Sequence, residues 1–125
     1  MHESSLAMSI IGIVRDKARE AHTGAVRRVD LCVGEYCGVE HSTLEACFEM
    51  IALGTVADGA KLVIEKIPAT GSCDICGEPA LKEGRFLRCP SCSKSSVTLA
   101  TGRELYVKSI EVEQPTRSYD HAQCV

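Results

Sequence analysis

Two Cys-x-x-Cys pairs constrain this chain more than any other feature. Cys73-Asp74-Ile75-Cys76 and Cys89-Pro90-Ser91-Cys92 stand twelve residues apart, and Gly77 follows the first pair. They lie in a stretch, 69–101, dominated by Gly, Ser, Cys and Pro and short of large apolar residues. Such a stretch cannot hold itself together by burial alone. A tetrahedral zinc ion wants four ligands, with Zn–S distances of about 2.3 Å, and each knuckle supplies two thiolates from one side. Four protein sulfurs leave no position for water, so a zinc site built this way is structural. The alternative is two pairs of buried or redox-active cysteines. A thioredoxin-like redox role needs a CxxC that opens a helix directly after a strand, and neither pair has that setting.

The rest of the chain reads as a domain interrupted by this insert. Leu6, Ile10, Ile13 or Val14, Ala18 and Ala21 recur at helical spacing, which predicts a helix over 4–21 capped by Ser4 or Ser5 and ended by Thr23-Gly24. Val29, Leu31 and Val33 alternate with Arg28, Asp30 and Cys32, as in a strand with one buried face. Ser42 and Glu45 have capping-box spacing before a second helix, whose apolar stripe is Leu44, Cys47, Phe48, Ile51 and Ala52 and whose stop is Gly54. Residues 61–67 form a second strand ended by Pro68. Residues 104–113 form a third, with a bulge expected near Lys108-Ser109 to bring Leu105, Val107, Ile110 and Val112 to one face. The expected fold is α+β: two helices packed on a three-stranded sheet, with an inserted zinc-ribbon-like domain built on four cysteines. The division reads 1–68, insert 69–101, final strand 102–113, and a polar, flexible C-terminal tail 114–125.

Composition removes several classes of function. The chain has 125 residues, of which 14 are basic and 17 acidic, for a net charge of −3, and it has no Trp. Nucleic-acid binders need an excess of Lys/Arg to neutralise phosphate and aromatic rings to stack bases; this chain has no basic excess and few aromatics. No apolar run approaches the ~20 residues of a membrane helix. The opening MHESSLAMSI lacks the basic region of a secretory signal. Eight cysteines without an export signal suit a reducing cytoplasm, where they serve as metal ligands more readily than as disulfides. No Gly-rich phosphate loop and no nucleophile–base motif appears, so the chain is read as a non-enzyme.

The remaining cysteines and histidines carry weaker signals. Cys47 and Cys32 read as packed residues, and Cys37 as a loop thiol open to reaction. His121 and Cys124 have ligand-like spacing, but on a tail. His22 reads as a structural partner for the last carbonyls of the first helix. His41, Glu35 and Glu40 read as solvated loop residues. Met1-His2-Glu3 is different. A free α-amine, backbone nitrogens and an imidazole can close around a square-planar ion, a geometry that suits Ni(II) or Cu(II). A His at position 2 can equally be an accident of a frayed terminus.

The opening MHESSLAMSI, the loop VGEYCGVE, the stretch GTVADGAKLVIE, the paired knuckles and the close GRELYVKSIEVE together resemble the HypA/HybF family of nickel metallochaperones for [NiFe]-hydrogenase maturation. The resemblance runs from Met1 to about Glu113 in the family's order. It implies a nickel-binding α/β domain with a zinc domain inserted before its last strand. It implies nickel ligands from the Met1 amine, from the His2 imidazole and backbone nitrogen, and from Glu3 through its backbone nitrogen or as a tuning carboxylate. It implies zinc on Cys73, Cys76, Cys89 and Cys92. It also implies a GTPase partner, HypB, and delivery to the hydrogenase large subunit; some members also serve urease maturation. Some members add a zinc-domain histidine to nickel, and this sequence has none between His41 and His121. The competing reading is a zinc-ribbon interaction or nucleic-acid-binding module, which shares only the cysteines and is disfavoured by the charge.

Overall fold

The computed structural model describes residues 2–84, 86–92, 96–113, 118–119 and 123–125, with backbone alone at 83, 118, 119 and 123. Its elements in order are α1 (Glu3–Glu20), β1 (Val26–Gly34), α2 (His41–Ala52), β2 (Lys61–Ile67), β3 (Thr70–Cys73), β4 (Leu81–Glu83), β5 (Phe86–Arg88), β6 (Val97–Thr101), β7 (Leu105–Val112), β8 (Ser118–Tyr119) and β9 (Gln123–Cys124). The chain divides into two compact units. One comprises 1–32, 38–65 and 105–125, the other 33–37 and 66–104.

In the first unit the helices are amphipathic and share one core. Leu6, Ile10 and Val14 of α1 and Leu44 and Phe48 of α2 are fully buried, together with Val29 and Leu31 of β1 and Val107 and Ile110 of β7. The sheet order is β2-β1-β7-β8, with β9 also on β7. Val26 N donates to Val56 O near the start of β1, and Glu35 N donates to Ile67 O beyond its end. Partners that ascend together mark a parallel pair, here joined through α2 as the crossover. Ala25 O accepts from Glu113 N, and Gly34 N donates to Glu104 O, so β7 runs antiparallel to β1.

Helix boundaries depart from the sequence reading in three places. α1 starts at His2, with Leu6 N donating to His2 O at 3.0 Å, and Ser4 and Ser5 lie inside the helix. The earlier start puts Glu3 in the first turn, where a carboxylate suits the helix dipole. α1 runs to Glu20 and is stopped by His22, whose φ is +54°, and not by Gly24. His22 N donates to Arg19 O and Thr23 N to Ala18 O, which closes the last turn as a Schellman motif. α2 is capped by Glu40 and not by a Ser42/Glu45 box. The Glu40 carboxylate accepts from Thr43 N at 2.9 Å, and Ser42 Oγ turns back to donate to it.

Residues 61–67 and 105–112 are strands, close to the ranges expected. On β7 Ser109 and Ile110 are both buried, so the buried phase slips next to the pair where a bulge was expected. The sheet exceeds the three strands expected, because the stretch read as a tail contributes β8 and β9. Backbone pairing at a sheet edge needs N–H and C=O groups rather than apolar periodicity, so a polar segment can supply it.

The second unit contains two small antiparallel pairs. β3 pairs with β6, with Gly71 opposite Leu99 and Cys73 opposite Val97. β4 pairs with β5, with Lys82 opposite Leu87. Gly34 and Gly102 are required where the chain closes on itself. A Cβ on Gly34 would collide with the carbonyl group of Gly102. Gly102 has φ +125°, and a Cβ there would come within 2.9 Å of Ala69.

Candidate metal centre

The strand pairing of the second unit brings the two knuckles together. Cys73 closes β3 and opens a tight turn in which Gly77, at φ +75°, donates to Cys73 O. Cys89 follows β5 directly. Asp74 N donates to Ser96 O, and Thr98 Oγ1 donates to the Asp74 carboxylate, tying the first knuckle to β6.

The four sulfurs lie within 4.8 Å of one another. Cys73 Sγ is 3.6 Å from Cys92 Sγ, and Cys76 Sγ is 3.2 Å from Cys89 Sγ. A tetrahedron with metal–sulfur distances near 2.3 Å has edges of ~3.8 Å, so this donor set fits one tetrahedral ion. Cys73 and Cys89 are buried, Cys92 is half-buried and Cys76 is exposed. The thiols pull in opposite directions. N–H donation from Cys92 brings Cys89 down to about 6, and N–H donation from Cys76 and then Ile75 lowers Cys73. The Glu78 amide lowers Cys76, but hydrogen bonding to Cys89, desolvation and the nearby Cys73 override it and push Cys76 up to about 12. Packed thiolates repel, and a bound cation is what lets all four ionise together. Among the described residues no other group of three or more His, Cys, Asp and Glu side chains could hold a metal ion.

The loop Gly34–Cys37 closes the base of this unit through Glu35. Its Oε1 accepts from Ala69 N at 2.8 Å, its Oε2 pairs with Lys82, and its own N–H donates to Ile67 O. Tyr36 N donates to Gly102 O. The Ala69 amide, then Lys82, lowers the Glu35 carboxyl below its ordinary range. Glu35 is therefore a structural clamp and not the solvated charge expected. Cys37 differs from expectation too: it is half-buried, and desolvation followed by Glu104 raises its thiol pKa, which makes it a poor nucleophile.

In the first unit, His2 is exposed and makes no side-chain cap to α1. Leu6 is the donor to His2 O, so the amides of His2 and Glu3 precede the i→i−4 ladder of the helix. Glu3 is half-buried, and its carboxylate accepts from Glu40 N at 3.2 Å, the main cause of its lowered pKa. Thr43 N–H and Ser42 hold Glu40 down to about 2. The two helix starts are thus joined by an acidic pair that stays ionised. Met1 and His121 lie outside the described residues. His41 is the first residue of α2 and is half-buried, and Cys124 is exposed on β9. Cys32 is buried with Sγ 3.9 Å from Glu65 Oε2, and Cys47 is half-buried. Glu35 and Glu40 are the residues that sequence reasoning undervalued. Glu is a weak N-cap signal, and the Glu35 partners lie more than 30 positions away.

Comparison with known proteins gives this geometry a context. Residues 1–112 match the family described as hydrogenase/urease nickel incorporation, metallochaperone, hypA. The hydrogenase maturation factor HypA of Chlorobaculum parvum is 43% identical over 113 residues, which is 90% of this chain and 100% of that protein. The factor of the same name from Dehalococcoides mccartyi strain CBDB1 is 35% identical over 118 residues, 94% of this chain and 99% of that protein. A solution structure of HypA protein superposes with a TM-score of 0.65 at 26% identity, over 90% of this chain and 96% of that one. The solution structure of the Ni metallochaperone HypA from Helicobacter pylori has the same TM-score at 24% identity, covering 90% and 97%, and shares the fold. These relatives are named as maturation factors and metallochaperones, not as catalysts. No helix among the described residues is long and apolar enough to cross a membrane. A family match over residues 1–112, a shared fold and a four-sulfur cluster agree: this chain belongs to the HypA family of nickel metallochaperones for hydrogenase maturation.

Proposed function

We propose that this protein carries Ni(II) on its N-terminus and delivers it, in the cytoplasm, to the large subunit of a [NiFe]-hydrogenase. The donors are the Met1 amine, the His2 imidazole and the backbone nitrogens of His2 and Glu3. The observation that carries this reading is the state of residues 2 and 3. The imidazole is exposed, and both amides stand ahead of the helical ladder, so neither is committed to α1. Nitrogen donors around a square-planar ion suit Ni(II). The Glu3 carboxylate, held by Glu40 N, tunes the charge beside the ion. An exposed terminal site loads and releases quickly, as a carrier requires.

Cys73, Cys76, Cys89 and Cys92 hold a structural zinc ion whose four positions are all filled by protein sulfur, so it exchanges slowly. The protein has no phosphate loop of its own, so nucleotide hydrolysis that drives transfer belongs to a partner, the GTPase HypB. Maturation proteins for urease are further recipients consistent with the family description.

Calorimetric titration with Ni(II), zinc being quantified in parallel, tests the assignment. His2→Ala should weaken nickel by more than ~100-fold, since outer-shell changes alone cost 10–100-fold, and should leave zinc unchanged. Affinity should fall as pH is lowered, because protons compete with the metal for its nitrogen donors. Adding one residue before Met1 deletes no side chain but turns the amine into an amide. Tight nickel binding by that extended chain would overturn the terminal site.

A further inference from the structure

β7 reads Leu-Tyr-Val-Lys-Ser-Ile-Glu-Val, eight residues without Gly or Pro and rich in β-branched and aromatic side chains. One of its edges pairs with β1. An open edge of this composition is a template for pairing with another chain. Here the chain's own C-terminal segment occupies it. Tyr119 and Ser118 stand opposite Ile110 and Glu111, and Cys124 and Gln123 stand opposite Tyr106 and Val107, all antiparallel. Val125 N donates to Leu105 O at 3.2 Å. The two pairings share one direction but differ in register by one residue, next to the place where the burial phase of β7 slips. The family match ends at residue 112, and the Chlorobaculum parvum relative is matched along its whole length by 113 residues of this chain, so β8 and β9 follow the segment that the family description covers.

We propose that the C-terminal strands β8 and β9 act as an edge strap in cis whose role is to keep β7 from pairing with β7 of a second copy. The identity of that competitor follows from charge. If Ser109 of one copy faces Ile110 of the other in a two-fold antiparallel pair, Lys108 faces Glu111 twice and Val107 faces Val112 twice. That ladder is unbroken, whereas the strap makes two short pairings. The strap prevails because it is tethered: a short linker gives it an effective concentration of order millimolar, far above that of a second copy in dilute solution.

Sedimentation velocity on the zinc-loaded protein at micromolar concentration tests this. The full chain should be monomeric and the chain ending at Glu113 dimeric. A synthetic peptide of residues 114–125 added in excess should return the dimer to monomer. Lys108→Glu in the shortened chain should weaken the dimer by about tenfold or more, because the two opposite-charge pairs become like-charge pairs. A monomeric shortened chain overturns the proposal, as does a dimer that ignores the peptide. Should the shortened chain fail to fold, the full-length Tyr119→Pro, Gln123→Pro double variant replaces it: dimerisation supports the strap, and a monomer whose β7 amides keep their hydrogen-exchange protection refutes it.

Discussion

In the first unit Leu6, Ile10, Leu31, Leu44, Phe48 and Ile110 meet in one apolar core. In the second, the buried apolar side chains among the described residues are Val33, Ala69 and Leu87, with Cys73 and Cys89 buried as well. The two units therefore achieve a folded state by different physics. The first buries enough hydrocarbon to offset chain entropy, as ordinary domains do. The second has too little to bury and relies on a four-sulfur cluster, close backbone approaches and the Glu35 clamp. A carrier gains from this arrangement if its cargo site sits on the unit whose fold needs no metal: loading and unloading then leave the scaffold unchanged.

Stripping the proposed zinc with a strong chelator should show the contrast at its largest. Structural zinc in small modules contributes on the order of 10 kcal/mol, so residues 70–101 should lose amide dispersion in NMR spectra while α1, α2 and the main sheet keep theirs. Retention of native shifts in both units after complete zinc loss would remove the distinction. Phe48→Ala is the reverse experiment. It should cost about 3–5 kcal/mol in the first unit, read as a fall in denaturant midpoint, with zinc content unaffected. Gly34→Ala probes the close approach on which the second unit depends. Its Cβ would meet the backbone of Gly102, and forcing the two apart should cost about 1–3 kcal/mol. Thermal unfolding followed by a zinc-release dye would locate that loss. The smallest effect is a gain. His22 sits at φ +54° where glycine is at ease, so His22→Gly should stabilise the first unit by about 1 kcal/mol, seen as a modest rise in Tm with no change at the sulfurs.

Much of this architecture was legible in residue order. The periodicities of α1, α2, β1, β2 and β7 are local, and the spacing of the two knuckles announced a four-sulfur site before any strand pairing was known. The caps were less legible, because they turn on which of several polar residues wins a competition. Ser4, Ser5 and Ser42 are better intrinsic N-caps than His2 or Glu40. The helices nevertheless start earlier, where Glu3 can accept from Glu40 N and Glu40 from Thr43 N.

The elements and the cysteine pairs come from the chain's own local chemistry: side-chain periodicity is written in neighbouring residues, and thiolate pairs two residues apart suit a metal wherever they occur. Three other features exist only because distant segments meet. The loop Val33–Cys37 joins the second unit because Glu35 finds Ala69 and Lys82. The acidic pair Glu3–Glu40 exists because two helix starts converge. The polar C-terminal segment becomes a strand because the edge of β7 offers it backbone partners. Backbone hydrogen bonds and close approaches carry almost no side-chain signature, so nothing short of the folded chain assigns them.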